Sequence, residues 1–522
     1  MTSAQRRRAA LAGAVVLLTG CTQGRAPQPT GTPSTVPSPS QSVDAPDEPA
    51  VDPAFERFYS QAPAWEGCGE GLECSRVTVP VDWGAPEGST LDLAVVRMPA
   101  TDAGARLGSL LYNPGGPGGS GTQAVEQYGD SLASRDVRAR YDLVGFDPRG
   151  VGDSSPVDCL DDAAMDSYLA YDIEAETDAG LADLDREVAE FVQGCEASAG
   201  DLLGHVDTPS AARDMDVLRA VLGDERLSYL GKSYGTLLGA HYAEQFPQRV
   251  GRLVLDGALD PANSYDDVVL GQAGGLELAF RNYLQACLDG ETSGECPLRG
   301  SVDEAAAQVQ QVIAQAEGRP LLTDSDRELT VTLAVSGIIT PLYDDASWPV
   351  LDEALTAALS GDGTLLLRLA DIYADRGDDG TYASNLLEAF PAVNCLDYEV
   401  DDSPEAMRAL EAELAAESPT FGRFLAFGEA TCGAWPYEPV RAEDPIAASG
   451  AAPILVVGTT GDPATPYQWS QALADQLESG RLLSWEGEGH TAYFRGSPCV
   501  DAAVDGYLLD GVLPGAGATC AS

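Results

Sequence analysis

Short apolar runs punctuate the chain at 109–112, 141–146, 227–230, 252–255, 453–457 and 481–485, each followed by a loop bearing Gly, Pro or Asp. Runs that are apolar at most positions, separated by helical patterns, belong to strands covered on both faces. Two further stretches, 76–81 and 91–98, read as the start of a β-hairpin. The spacing predicts an α/β domain with a mostly parallel, eight-stranded sheet.

One interval breaks the alternation. Between the strand ending at Asp256 and the one starting at Pro453 the chain carries helical periodicity, as in 302–316 and 404–416. Such an insertion far exceeds what a βα crossover needs. It reads as a helical cap over 261–448, seated over the strand carboxyl ends where open α/β sheets place their sites. The core is then split into 53–260 and 449–522.

Composition narrows the function. The 522 residues carry 30 Lys+Arg against 82 Asp+Glu, a net charge of −52. So acidic a chain is unsuited to nucleic acid, whose phosphates demand cations. With 44% hydrophobic residues, it can bury a sizeable core. Past the N-terminus no apolar run reaches the roughly 18–20 residues of a spanning helix. The only lysine is Lys232.

The first 20 residues have the layout of an export signal, with Arg6, Arg7 and Arg8 preceding an apolar stretch over 9–18. Leu18-Thr19-Gly20-Cys21 resembles a bacterial lipobox, which implies cleavage before Cys21 and its lipidation. Residues 21–52, rich in Pro, Ser and Thr, read as a disordered tether. The expected location is outside the cell membrane, held only by a lipid on Cys21, or shed, or associated with the cell wall. Ten cysteines remain, an even number suited to an oxidising compartment. Neighbour pairing is the simplest arrangement: Cys68 with Cys74, Cys159 with Cys195, Cys287 with Cys296, Cys395 with Cys432, and Cys499 with Cys520. The sequence leaves this open, since ten cysteines allow on the order of 900 pairings. Clustered Cys/His spacing is missing, so no metal site is expected.

Gly231-Lys232-Ser233-Tyr234-Gly235 matches G-x-S-x-G between a strand and a small-residue helix. Such glycines allow a sharp turn that lifts a serine oxygen above a sheet. A serine nucleophile needs a base, and the chain has three histidines, His205, His241 and His490. Only His490 follows a late strand and lies on a loop free to approach Ser233; the others read as surface or packing residues. Asp462, just past the penultimate strand, is the expected acid, with Asp256 at the end of an earlier strand as its rival. The glycine-rich loop 113–121 is suited to an oxyanion hole, built from the N–H groups of Gly116 and Tyr234. It carries no Walker lysine or dinucleotide fingerprint, and no cofactor is called for.

Together N-P-G-G-P-G-G-S-G at 113–121, F-D-P-R-G at 146–150, G-K-S-Y-G-T at 231–236, G-D-P-A-T-P at 461–466 and G-H-T at 489–491 resemble the α/β-hydrolases of the proline iminopeptidase and tripeptidyl aminopeptidase group. In iminopeptidases the oxyanion loop reads H-G-G-P-G; here Pro114 stands in place of the histidine, as in the tripeptidyl branch. The resemblance implies an α/β-hydrolase fold and a secreted serine exopeptidase acting on peptide or protein N-termini, with a cap limiting entry. Asp397 is the nominee for holding the substrate ammonium group, and Lys232 either tunes the site or packs against loops. An esterase or lipase with the same triad is the alternative, and a non-catalytic lipid-anchored binding protein a third reading. Oligomeric state is not legible.

Overall fold

The computed structural model describes residues 52–173 and 177–521. The signal segment, Cys21 and the tether up to residue 51 lie outside the described residues. The sheet comprises β1 (Glu66–Gly69), β2 (Leu72–Pro80), β3 (Thr90–Met98), β4 (Gly108–Asn113), β5 (Tyr141–Phe146), β6 (Leu227–Lys232), β7 (Val250–Asp256), β8 (Ile454–Gly461), β9 (Gly480–Glu488) and β10 (Ala518–Ala521). Their order is β1-β2-β3-β5-β4-β6-β7-β8-β9-β10. Pairing is antiparallel from β1 to β3 and between β3 and β5, and parallel from β5 to β10.

The eight expected strands form, and the expected count of eight is corrected to ten. β1 has no buried position and β10 only one, so neither carries an apolar run to mark it. Each is instead tied down by a disulfide: Cys68–Cys74 joins β1 to β2, and Cys499–Cys520 joins β10 to the helix Pro498–Asp510. By contrast every residue of β4 and β5 is buried, as continuous apolar runs require.

Five helices frame the loops at the sheet edge: α1 (Gly121–Tyr128), α2 (Thr208–Val221), α3 (Tyr234–Gln245), α4 (Tyr265–Asp289) and α5 (Leu386–Asp397). The interval between β7 and β8 is helical, with short 3-10 turns, from α4 to the helix Glu429–Gly433. The helices foreseen around 302–316 and 404–416 span Val302–Gly318 and Pro404–Glu417, each opened by a serine cap, Ser301 and Ser403. The interval packs in two ways. Residues from Leu276 to Ala370 bury their apolar faces chiefly on one another, in a cluster that also takes in Phe421. Side chains of α5 and of Pro404–Glu417, including Val393, Leu396 and Leu410, instead join the cluster around the sheet. No helix among the described residues is long and apolar enough to cross a membrane.

All five neighbour pairs of cysteines are disulfide-bonded: Cys68–Cys74, Cys159–Cys195, Cys287–Cys296, Cys395–Cys432 and Cys499–Cys520. Two lie within the helical interval, one in each of its parts.

Because β4 and β6 to β9 run parallel, the loops after their carboxyl ends gather along one edge of the sheet. The F-D-P-R-G segment after β5 serves that edge. Asp147, buried, accepts hydrogen bonds from Ser120 Oγ (2.6 Å), Thr122 N (3.1 Å) and Asp153 N (2.9 Å). It thereby pins the end of the glycine-rich loop to the start of α1.

Candidate active site

Ser233 is the N-cap of α3, with φ 54° and ψ −127°. This conformation is costly for a residue with a side chain and persists only where neighbours enforce it. Here they do. Ser233 N–H donates to the Asp256 carbonyl (2.9 Å), Thr236 Oγ1 donates to the Ser233 carbonyl (2.6 Å), and Tyr229 Oη donates to the Gly235 carbonyl (2.7 Å). The turn is so tight that a Cβ on Gly231 would lie 2.4 Å from the Gly235 carbonyl oxygen. A glycine is therefore required there, and the serine is left half-exposed at the crest.

Asp462 and His490 meet. His490 Nδ1 lies 2.8 and 3.0 Å from the two oxygens of Asp462, in an arrangement that directs Nδ1–H at the carboxylate. The carboxylate is buried and further held by the N–H groups of Ala464 (3.0 Å), Thr465 (2.9 Å) and Thr491 (3.1 Å) and by Thr465 Oγ1 (3.1 Å). So many donors fix its orientation. His490 is half-buried, its N–H donates to the Tyr343 carbonyl (2.9 Å), and the Tyr343 ring packs edge-on against the imidazole at 5.6 Å. Tyr343 belongs to the helical interval, so that interval touches the histidine directly.

The glycine-rich loop runs beside the serine. A Cβ on Gly115 would lie 2.7 Å from both the Ser233 Cβ and the Lys232 carbonyl oxygen. Gly115 N–H is taken by Asn113 Oδ1 (2.9 Å). The next N–H, that of exposed Gly116, has no such partner among the described residues, and Tyr234 N–H opens a helix where first-turn donors are free. Gly115→Ala is expected to lower kcat by roughly 10²-fold or more, because the methyl group must displace the loop or the nucleophile. Steady-state kinetics on the folded variant check this; wild-type kcat would refute the close approach.

The remaining sequence nominees fall elsewhere. Asp256 is not in the acid's place: its side-chain oxygens accept from Ala492 N and Tyr493 N, at 2.9 Å each. His205 supplies its carbonyl to Arg149 (2.8 Å). His241 lies in α3, where burial and the charge of Arg441 push its pKa down to about 3 and keep it neutral.

The nomination of Asp397 for the substrate amine is corrected. It ends α5 with no exposed surface, accepting from Thr208 N (3.0 Å) and Thr208 Oγ1. Thr208 Oγ1 in turn meets Tyr234 Oη, so Asp397 braces the elbow from below rather than facing a substrate. Burial lifts its carboxyl from the ordinary 3.8 to about 7, against the opposing pull of Arg441 and Thr208. Between those values the folded chain holds a proton that the unfolded chain has released, so this group's contribution to stability is lost as pH rises through the window. Asp397→Asn should therefore raise the thermal midpoint relative to wild type more at pH 8 than at pH 5. Equal differences at both pH values would contradict this.

Sequence reasoning missed Thr465, Tyr343 and the use made of Asp256. Thr465 stands inside the G-D-P-A-T-P segment, whereas nothing near Tyr343 in sequence signals contact with a histidine more than a hundred residues away.

Residues 108–290 match the family described as alpha/beta hydrolase fold, and residues 418–520 the family described as TAP-like protein. The chain is 39% identical over 466 residues to the serine protease Hip1 of Mycobacterium tuberculosis, covering 86% of this chain and 87% of that one. The chain belongs to the TAP-like α/β-hydrolases. Carboxylesterase B of Mycobacterium tuberculosis is 37% identical over 477 residues, covering 88% and 90% of the two chains. Tripeptidyl aminopeptidase of Streptomyces lividans is 31% identical over 472 residues, covering 88% and 86%. The family's alternating strands and helices account for the parallel part of the sheet, and the TAP-like segment contains both Asp462 and His490.

Proposed function

We propose that this TAP-like hydrolase is a serine exopeptidase that releases short peptides, tripeptides foremost, from free N-termini. The observation that carries the reading is the hydrogen-bonded Asp462–His490 pair on the sheet edge that also presents Ser233 on its strained elbow. Ser233 Oγ attacks the scissile carbonyl while His490 Nε2 takes its proton, and Asp462 holds the tautomer and stabilises the imidazolium. The N–H groups of Gly116 and Tyr234 receive the oxyanion. His490 then protonates the leaving amine, and water, activated by the same imidazole, hydrolyses the acyl-enzyme.

The kinship with a protein named tripeptidyl aminopeptidase and with one named serine protease supports peptide over ester substrates. A mostly apolar cavity of about 330 Å³ is lined by residues that include Tyr168, Leu333, Tyr373 and Leu387, and not by Ser233, Asp462 or His490. Tyr373 adjoins Tyr343, which packs on His490.

The test is a panel of tripeptidyl, single-prolyl, N-blocked tripeptidyl and short-acyl ester substrates. Rapid release from the free tripeptidyl substrate, lost on blocking the N-terminus, is expected. Cleavage indifferent to blocking would overturn the exopeptidase reading, and turnover of esters alone would support the reading suggested by carboxylesterase B.

Export and attachment through a lipid on Cys21 form part of the same proposal. They rest on the Arg6–Arg8 cluster, the apolar stretch after it and the residues before Cys21, and five disulfides suit an oxidising compartment. Metabolic labelling with a fatty-acid analogue, compared between wild type and Cys21→Ala, tests the attachment.

A further inference from the structure

The loop that carries His490 is held at every backbone N–H from 489 to 494. Gly489 N donates to the Gly461 carbonyl (3.3 Å), His490 N to the Tyr343 carbonyl (2.9 Å) and Thr491 N to Asp462 Oδ2 (3.1 Å). Ala492 N and Tyr493 N donate to the two oxygens of Asp256, and Phe494 N to Asp501 Oδ1 (2.9 Å). Three of these six residues have left-handed backbones: Gly489 (φ 91°), Thr491 (φ 68°) and Phe494 (φ 63°). For Thr and Phe such a conformation is unfavourable on its own and survives only where surrounding bonds impose it.

Two of the holding groups stand side by side in the sheet and next to the nucleophile. Lys232 and Asp256 are register partners at the carboxyl ends of β6 and β7. Lys232 Nζ donates to the Tyr493 carbonyl (3.0 Å), so both polar groups of the Tyr493 backbone are gripped, one by each residue. Asp256 also holds the nucleophile: its own carbonyl accepts Ser233 N–H at 2.9 Å. A single fully buried residue thus grips the nucleophile with its main chain and the histidine loop with its side chain. Lys232 is covalently next to Ser233 and reaches the same loop with its side chain from the neighbouring strand.

We propose that Asp256 and Lys232 are positioning residues that set the separation and orientation of Ser233 and His490 by clamping the 490–494 loop onto the ends of β6 and β7. The clamp rests on the serine-hydrolase reading for its catalytic consequence, but not for its mechanical one. Its charges are complementary: the carboxylate takes two N–H groups, the ammonium takes a carbonyl, and each offsets part of the other's desolvation. Burial pushes the Asp256 carboxyl up and the Lys232 ammonium down, and in each case the partner's charge opposes the shift. An imidazole displaced by a fraction of an ångström from the serine loses rate without losing substrate affinity. The signature is therefore a fall in kcat at constant KM.

The experiment compares wild type, Asp256→Asn, Lys232→Met and Lys232→Arg. Asp256→Asn keeps the shape but replaces one acceptor by a donor, and Lys232→Met removes the donor to Tyr493. Each folded protein is measured by hydrogen–deuterium exchange over 489–495, by the rate of Ser233 labelling with a fluorophosphonate, and by kcat and KM on a tripeptidyl substrate. Asp256→Asn is expected to lower kcat and labelling rate by about 10²-fold with KM changed less than about twofold, while exchange rises in 489–495 only. Lys232→Met should lose roughly tenfold, and Lys232→Arg, which restores a cationic donor, should recover most of it. Wild-type exchange together with wild-type kcat in folded Asp256→Asn would overturn the clamp. A loss confined to KM, or one that active-site titration traces wholly to an unfolded fraction, would overturn it as well. If Asp256→Asn does not fold, the Lys232 pair decides by the same readouts. Wild-type protein that resists labelling would refute the serine-hydrolase reading, and the exchange comparison would still decide whether the clamp exists.

Discussion

Ser233→Ala is expected to lower kcat by a factor on the order of 10⁶ while leaving the fold intact. The size of the loss follows from the unit that Ser233, His490 and Asp462 would form: without the hydroxyl the imidazole has nothing to activate, and only the oxyanion donors and binding remain. The fold should tolerate the change. The contacts that hold residue 233, its N–H to the Asp256 carbonyl and its carbonyl to Thr236 Oγ1, are made by the main chain. Alanine suffers at φ 54° no more than serine does. Hydrolysis of a tripeptidyl substrate together with a thermal melt checks both parts. Residual activity near wild type would remove Ser233 from the reaction. Asp462→Asn provides the graded comparison, with a loss of about 10⁴-fold, because an amide in that place favours the wrong imidazole tautomer.

Arg149→Met should produce the largest loss of stability among these variants. Arg149 and Asp214 are each only 1% exposed. Arg149 Nε and Nη2 lie 2.7 and 2.6 Å from the two Asp214 oxygens, and the remaining donors meet the carbonyls of Val81 and His205 (2.8 Å each) and Pro80 (3.1 Å). Five bonds thus tie the loop after β5 to β2, to the segment before α2 and to α2 itself. Removing one partner strands the other's charge in the interior, which costs about 3–5 kcal/mol. Burial already pushes the Asp214 carboxyl up, and Arg149 is the main force opposing that rise. In the variant the carboxyl would keep a proton to higher pH, so the deficit should grow as pH rises from acid toward neutral. Denaturant titration at two pH values checks this. Arg149→Met combined with Asp214→Leu should recover much of the loss, since an apolar pair of similar volume removes the stranded charge. A double variant no more stable than the single one would place the cost in the lost carbonyl contacts.

The legible features share a short range. Runs apolar at most positions mark β4 to β9 because a strand covered on both faces has few positions that suit a polar residue. The elbow is legible because Gly231 answers to atoms only a few residues away, the Gly235 carbonyl and the Tyr229 ring. The neighbouring cysteines are paired in space largely because 6 to 37 residues separate each pair, so closing each loop sacrifices little chain entropy. β1 and β10 were illegible for the converse reason. They add to sheet edges with almost no buried surface, and no hydrophobic pattern accompanies that kind of pairing.

Asp397 and Asp256 show where local pattern ceases to inform. Both are carboxylates in an acidic chain, and nothing in their flanking residues separates a group facing substrate from one sealed beneath the elbow or gripping a loop. Their roles depend on which donors the sheet order brings to them: Thr208 for the first, Ala492 and Tyr493 for the second. Those donors lie 189 and more than 230 residues away along the chain. The residue types, their chain order and their strand-end placement were sufficient to nominate Ser233, Asp462 and His490, because each lies where a strand must end. The grip on the histidine loop, the contact from Tyr343 and the burial of Asp397 follow from packing, since they arise only when segments distant in sequence meet and compete for the same few backbone donors.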